Sequence, residues 1–277
     1  MTSIVAVISD THCGGSTALT CPDTLIEDGG EYKLNAIQHW LYYNCWLDYW
    51  KKITTLRKAY KRSKLWVILN GDLVEGNHHG STQIVSPNMR IMKDIAIATL
   101  EPHVKSSDYL FVTKGTESHV GASGVWDDII ADELGAIADE SSNSPAWWWL
   151  ELDVEGIHFA FSHHGRTGMR PWTKSTGART LAASLTFKYY NDYRQAPPQV
   201  AVFSHVHRFT DSGLNYPVHV WTTGCWQLST GFGHKIAPGM PPEIGGMVFV
   251  IKDGEILNND PRIRYIPRKI DKWQPTK

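Results

Sequence analysis

Short continuous apolar runs alternate along the chain with longer stretches in which apolar residues return every three or four positions. These are the two patterns that separate buried strands from amphipathic helices. Ser3–Ser9 reads Ser-Ile-Val-Ala-Val-Ile-Ser, and its lack of polar alternation predicts a strand covered on both faces. Leu65–Leu69, Tyr109–Thr113 and Val200–Phe203 predict three more strands. Between them, Tyr32 to roughly Lys58 sets Leu34, Ile37, Leu41 and Cys45 along one helical face. A second helix is expected with Ser86 as its cap, Pro87 in its first turn and Met89, Met92, Ile95 and Ala96 buried. Val125–Ile137 and Arg179–Tyr193 carry the same periodicity, through Ile129, Ile130 and Leu134 and through Leu181, Leu185 and Tyr189. Trp147–Leu152 and Ile157–Ser162 read as a hairpin turning at Glu155 and Gly156, and Val218–Thr222 and Met247–Ile251 as further strands. Strand and helix in alternation predict an α/β protein with a parallel sheet and right-handed crossovers.

With 277 residues, 42% hydrophobic and 20% charged, the chain has the composition of an ordinary globular protein. We expect a single domain over 1–277, with a Trp-rich insertion near 139–156 and a polar C-terminal extension from Pro261. A formal net charge of -1 excludes a global field that would draw the chain to a polyanion. The basic run Lys51, Lys52, Arg57, Lys58, Lys61, Arg62 and Lys64 is read either as a solvated helix end or as a local phosphate-backbone patch. Trp147, Trp148 and Trp149 are likewise open between core packing and a stacking platform for bases. Cys13, Cys21, Cys45 and Cys225 have no CxxC spacing, which points to reduced thiols and a cytoplasmic setting. No apolar run approaches the ~20 residues of a membrane span, so no membrane partner is expected, and the oligomeric state is left open.

The candidate chemistry sits where these strands end. Asp10 and His12 follow the first, Gly71 and Asp72 the second, Thr116 to His119 the third, His163 and His164 the hairpin's return strand, and His205 and His207 the strand from Val200. The carboxyl ends of strands are where open α/β sheets place their ligands. Carboxylates and imidazoles suit Mn, Fe and Zn, and one Asp shared among several histidines implies two metals about 3.5–4 Å apart. Period-two alternation puts Ile157, Phe159, Phe161 and His163 on one face, favouring His163 over His164 as the ligand.

In this order the motifs resemble the calcineurin-like metallophosphoesterase family, whose pattern runs Asp-x-His, Gly-Asp, Gly-Asn-His, His, Gly-His-x-His. The likeness covers Ser3 to about Thr223. The forms Gly-Thr-Glu-Ser-His-Val-Gly, Ser-His-His-Gly-Arg and Ser-His-Val-His look most like phage and prophage members. The resemblance implies a four-layer α/β/β/α sandwich of two mixed sheets flanked by helices. It also implies two divalent metal ions, Mn first, with Fe, Zn, Ni and Mg as alternatives. By it Asp10, His12 and His207 hold the first metal, His163 and His205 the second, and Asp72 bridges.

Two elements depart from the pattern. Ser204 replaces the Gly before His205, and Gly115-Thr116-Glu117-Ser118-His119 replaces Gly-Asn-His. His119 is therefore expected to take the acid role or to coordinate. Asn77, in Gly76-Asn77-His78-His79, is read either as supplying the missing amide or as lining the rim with His78 and His79. His164 and Arg166 are candidates for contact with the substrate phosphate. The implied activity is hydrolysis of phosphodiesters, of nucleotides or of DNA or RNA. The alternatives are a phosphomonoesterase or protein phosphatase, and a non-catalytic binding protein.

Overall fold

The computed structural model describes residues 1–78, 80–168 and 170–267. His79 and the tail beyond 267 lie outside the described residues. The strand β1 (Thr2–Ile8) is followed by a short ribbon of β2 (Thr24–Leu25) and β3 (Glu31–Tyr32). Next comes a helix over residues 36–59, built from α1 (Ala36–His39), a wider turn at Trp40–Trp46, and α2 (Leu47–Ala59). Helicity begins later than the apolar period suggested. Tyr32 pairs with Thr24 in the ribbon, while Asn35 and Gln38 form a reciprocal capping box that fixes the start.

Then follow β4 (Lys64–Leu69), α3 (Met89–Val104), β5 (Tyr109–Val112), α4 (Glu117–Val120) and α5 (Val125–Glu133). The cap of α3 is Asn88, whose side chain accepts from the Arg90 amide, and not Ser86. Ser86 instead hydrogen-bonds Glu27 and the amide of Asn88. The second half holds β6 (Leu150–Val154), β7 (Ile157–His164), α6 (Thr176–Lys188), β8 (Val200–Ser204), β9 (Thr210–Asp211), β10 (His219–Thr222), α7 (Gly231–Ile236), β11 (Ile244–Lys252), β12 (Glu255–Ile256) and β13 (Arg262–Tyr265).

Two mixed sheets result. In the first, of order β12-β11-β1-β4-β5 with β13 on β11, β1, β4 and β5 are parallel and β11 is antiparallel. The second runs β6-β7-β8-β10-β9, with β7, β8 and β10 parallel. Glu155 (φ 52°) and Gly156 (φ 85°) form the tight turn between β6 and β7, the left-handed pair that a two-residue hairpin requires. The segment from Pro261, read as a surface extension, supplies β13, because Arg262–Tyr265 pairs with the long central strand β11.

The apolar faces define four layers. Val5, Val7, Ile68 and Phe111 of the first sheet meet Phe159, Phe161 and Val202 of the second. The other face of the first sheet is covered by Leu41, Trp46, Tyr49, Ile53, Met92 and Ile95 from the helices, and Ala178, Ala182 and Leu185 of α6 cover the second sheet. The α/β sandwich of two mixed sheets flanked by helices is thus the architecture of this chain. Trp147 hydrogen-bonds through its indole to Ile137 and packs at the edge of the inter-sheet core, while Trp148 and Trp149 are partly exposed.

Candidate metal centre

The loops that leave β1, β4, β5, β7 and β8 converge at one end of the two sheets. The first two are zipped together by main-chain bonds, with Asp10 N donating to Gly71 O (3.0 Å) and His12 N to Asp72 O (3.1 Å). Gly71 makes the approach possible, since a Cβ there would stand 2.6 Å from His163 Nδ1. Gly115 does the same on the other side, because its Cβ would fall 2.2 Å from Asp72 Oδ1. Asp10, His12, Asp72, His205 and His207 all have left-handed backbone, with φ of 53°, 46°, 52°, 70° and 53°. Such a conformation costs a non-glycine residue about 1–3 kcal/mol and concentrates at functional sites. Twelve non-glycine residues share it among the described residues, and five of them stand here.

Among the described residues, four groups of ligand atoms, each within 4.8 Å, stand here. His119 forms two of them, with His12 and Asp72 and with Glu75 and His78; the other two are triads that share no residue, Asp10, His12 and His207, and Asp72, His163 and His205. In the first, His207 Nε2 lies 3.1 Å from Asp10 Oδ1 and 3.1 Å from His12 Nε2. Behind His12, Glu75 Oε2 stands 3.0 Å from Nδ1. A carboxylate only accepts, so in a neutral ring this contact suits the tautomer with the proton on Nδ1 and the lone pair on Nε2. In the second triad, His163 Nδ1 donates to the Asn70 carbonyl (2.7 Å), and its Nε2 faces Asp72 Oδ2 at 3.0 Å. Thr116 Oγ1 lies 3.0 Å from His205 Nδ1, and the Thr116 amide donates to Asp72 Oδ1 (2.6 Å).

Asp10 Oδ1 and His163 Nε2 are buried and carry no hydrogen bond among the described residues, although other ligand atoms lie 3.1 Å and 3.0 Å away. Ligand atoms gathered at that range suit a cation between them, a proton in the metal-free protein or a metal ion. The donor set of carboxylate and imidazole therefore fits two first-row divalent ions.

The electrostatics agree. Burial alone would raise the Asp10 and Asp72 carboxyls, yet the facing imidazoles, chiefly His207 for Asp10 and His163 for Asp72, hold both below the usual range. Glu75, also opposed by burial, is held at about 2 by His12 and His78. His163 is disfavoured as a cation by burial, but Asp72 and Asp10 override this and raise it to about 9.

His119 lies on the single turn α4. Its Nδ1 donates to the Glu75 carbonyl (2.7 Å), and its ring packs edge-on against His12. Burial and then the nearby His12 push it down to about 4. At neutral pH it thus presents a lone pair on Nε2, within 4.8 Å of ligand atoms of His12 and Asp72. This is the state of an acceptor or ligand. His78 lines the same cavity, its Nε2 3.3 Å from Glu75 Oε1. Asn77 and Arg166 are exposed and absent from the described residues that line it. His164 is exposed too, its ring 5.6 Å from that of His205.

Four residues that the sequence did not single out complete the centre. Glu75 orients His12. Asn70 is a buried hub: its amide donates to Ser162 O (3.0 Å) and Ser204 Oγ (2.6 Å) and accepts from Thr113 Oγ1 (2.8 Å). Ser204, where the family pattern has Gly, thus has a partner. Asp127 accepts from the amides of Gly115 (2.8 Å) and Leu73 (3.3 Å), tying the loops that flank Asp72. Burial and the adjacent Asp72 raise its carboxyl to about 7. Arg208, directly after His207, lines the cavity. The signal for Glu75 was a carboxylate set in the apolar context Leu73-Val74-Glu75-Gly76; for the other three we find no local signal.

No family model matches the sequence, and no curated protein matches it. Several solved structures are similar to the chain. A phosphoesterase from E. coli, Yfce, is 13% identical, with 92% of this chain and 97% of that one covered, at a TM-score of 0.40. A dimetal phosphatase from Danio rerio is 9% identical over 89% and 92%, at 0.42. Vacuolar protein sorting 29 from Cryptosporidium parvum is 11% identical over 95% and 98%, at 0.38. These likenesses are loose, and the centre is read from its own geometry.

Proposed function

We propose that this chain is a dinuclear metal-dependent phosphoesterase that hydrolyses phosphodiesters. The observation that carries it is the convergence of two buried carboxylates and four imidazoles from separate strand ends, five of the six in left-handed backbone. Two divalent ions held in the triads would supply Lewis acidity at phosphorus and bring the pKa of water toward neutrality. Asp72 stands between the triads and joins them. Glu75 and Asn70 hold His12 and His163 in the tautomers whose Nε2 faces inward. His119, grouped with His12 and Asp72, is a candidate for a further ligand on the His12 side. Mn is the first choice, since the ligands are oxygen and imidazole without thiolate.

The preference for nucleic acid has less support. The basic run lies at the amino end of β4, whose six residues separate it from Asp72 by about 20 Å. Arg57 and Lys64 of that run are moreover paired with Asp108. The phage-like form of the motifs bears on ancestry and adds nothing to the chemistry. A phosphomonoesterase remains the second reading, because the same two triads serve either ester.

The test is to strip the protein with a chelator, reload it with Mn, count bound metal by mass spectrometry, and assay bis(p-nitrophenyl) phosphate beside p-nitrophenyl phosphate. Two equivalents with metal-dependent diester turnover are expected. A monoester preference moves the assignment to phosphatase. One equivalent or none, with no turnover, leaves a binding protein on this fold.

A further inference from the structure

The cavity over the two triads, about 560 Å³, has two unlike walls. One is the metal centre, through His12, Asp72, His119, His205 and His207. The other is apolar, formed by Leu228, Phe232, Ile236, Ala237, Met240 and Pro242 from α7 and its flanking loops. Phe232 and Ile236, one helical turn apart, keep 44% and 55% of their surface exposed. Large apolar side chains of that exposure on a cavity wall are what a ligand's apolar group would cover. The wall is anchored to the centre, since Gln227 donates to Glu75 Oε2 (2.5 Å) and Gln83 accepts from the Gly231 amide (2.5 Å). Between the walls lies Arg208. Its Nη1 meets Met240 Sδ at 3.2 Å, a weak acceptor, and its buried Nε has no hydrogen-bond partner among the described residues. A phosphoryl oxygen is the acceptor that a guanidinium in this position lacks.

Building on the phosphoesterase reading, we infer that the site takes a small phosphodiester with a flat, ring-bearing ester group, the ring lying on the α7 wall and Arg208 holding a phosphoryl oxygen. Nucleotide-like and aryl diesters have this chemistry, and the volume is that of a small-molecule site. Hydrolysis adds the oxygen of water to phosphorus and breaks the bond from phosphorus to one ester oxygen. The products are a phosphomonoester and a hydroxyl compound, the leaving oxygen taking up a proton from solvent.

Binding to the Mn-loaded protein tests the inference apart from catalysis. By calorimetry, phenylphosphonate is expected to bind roughly tenfold or more tightly than methylphosphonate, from burial of the ring. Phe232→Ala with Ile236→Ala should reduce that ratio toward one while leaving methylphosphonate affinity in place. Arg208→Lys should weaken both ligands several-fold without changing the ratio or the metal content. Equal affinities in the parent protein, a ratio unmoved by the α7 substitutions, or an Arg208→Lys protein that binds as the parent does would each overturn the assignment. A protein that prefers phenylphosphonate but turns over no ester would keep the pocket and remove the phosphoesterase reading.

Discussion

The two triads are built from the same residue types but supported differently. Behind His12 in the first stands an anion, Glu75, itself held by His78 and Gln227. Behind His163 of the second stands a neutral group, the Asn70 carbonyl. The second triad is also more open, with His205 exposed where Asp10 and His12 are buried. An anionic partner raises the basicity of a ligating imidazole more than a neutral one does. The first site should therefore hold its metal more tightly, and the second should exchange more readily and be the one that meets the substrate.

The strongest way to break this comparison is at Asp72, which belongs to the second triad but also lies within reach of His12 and His119. Asp72→Ala should lower diester turnover by at least about 10³-fold, because metal-centred charge stabilisation is worth several kcal/mol, and bound metal should fall below two equivalents. Full turnover with intact stoichiometry would show that the triads do not work as a pair.

Glu75 tests the first site alone. Glu75→Gln keeps the size and an acceptor but removes the charge, and it should weaken the tighter metal by roughly 10- to 100-fold, the usual cost of losing an outer partner. The looser metal should be unaffected in competition with a chelator dye. Equal weakening of both would mean that Glu75 supports the cavity as a whole.

Thr116 tests the second site in the opposite direction. It occupies the place where the resembling family carries Asn, and Thr116→Asn offers an amide oxygen next to His205. The looser metal should tighten by up to about tenfold, an effect of about 1.4 kcal/mol, with little change in the tighter one. If Thr116→Asn leaves both affinities where they were, the position beside His205 contributes no ligand to the second site.

Much of this was legible in the chain because buried strands announce themselves. Ser3–Ser9 and Leu65–Leu69 are continuous apolar runs, and ligands at their ends must fall at one edge of a parallel sheet. What escaped depends on contacts between distant segments. Asn70 bonds to Thr113, Ser162 and Ser204, residues 43 to 134 positions away, and no local pattern marks such a hub. Arg166 was the expected phosphate contact, and Arg208, which follows a ligand histidine as closely, went unmarked. The structure places Arg208 on the cavity, immediately after the left-handed turn at His207, and leaves Arg166 exposed. Local competition shifted two helix starts, since Asn35 and Asn88 captured amides a few residues past the expected starts.

The smallest effect concerns the metal-free protein and distinguishes the triads through a proton. His163 is raised from its ordinary value to about 9, Asp72 and Asp10 outweighing the penalty of burial. A histidine whose folded pKa exceeds its unfolded value adds stability that is complete below about 6.5 and fades as pH rises toward the folded value. The metal-free protein should therefore lose a few degrees of Tm between about pH 6.5 and 9, as the Asp72–His163 contact gives up its shared proton. A bound ion takes that proton's place, so affinity should rise over the same interval and each binding event should release protons, measurable by calorimetry in buffers of different ionisation enthalpy. His163→Gln should abolish the His163-dependent part of the Tm slope. A slope of the same size in that variant would assign it to other groups and leave the second triad without its distinguishing proton.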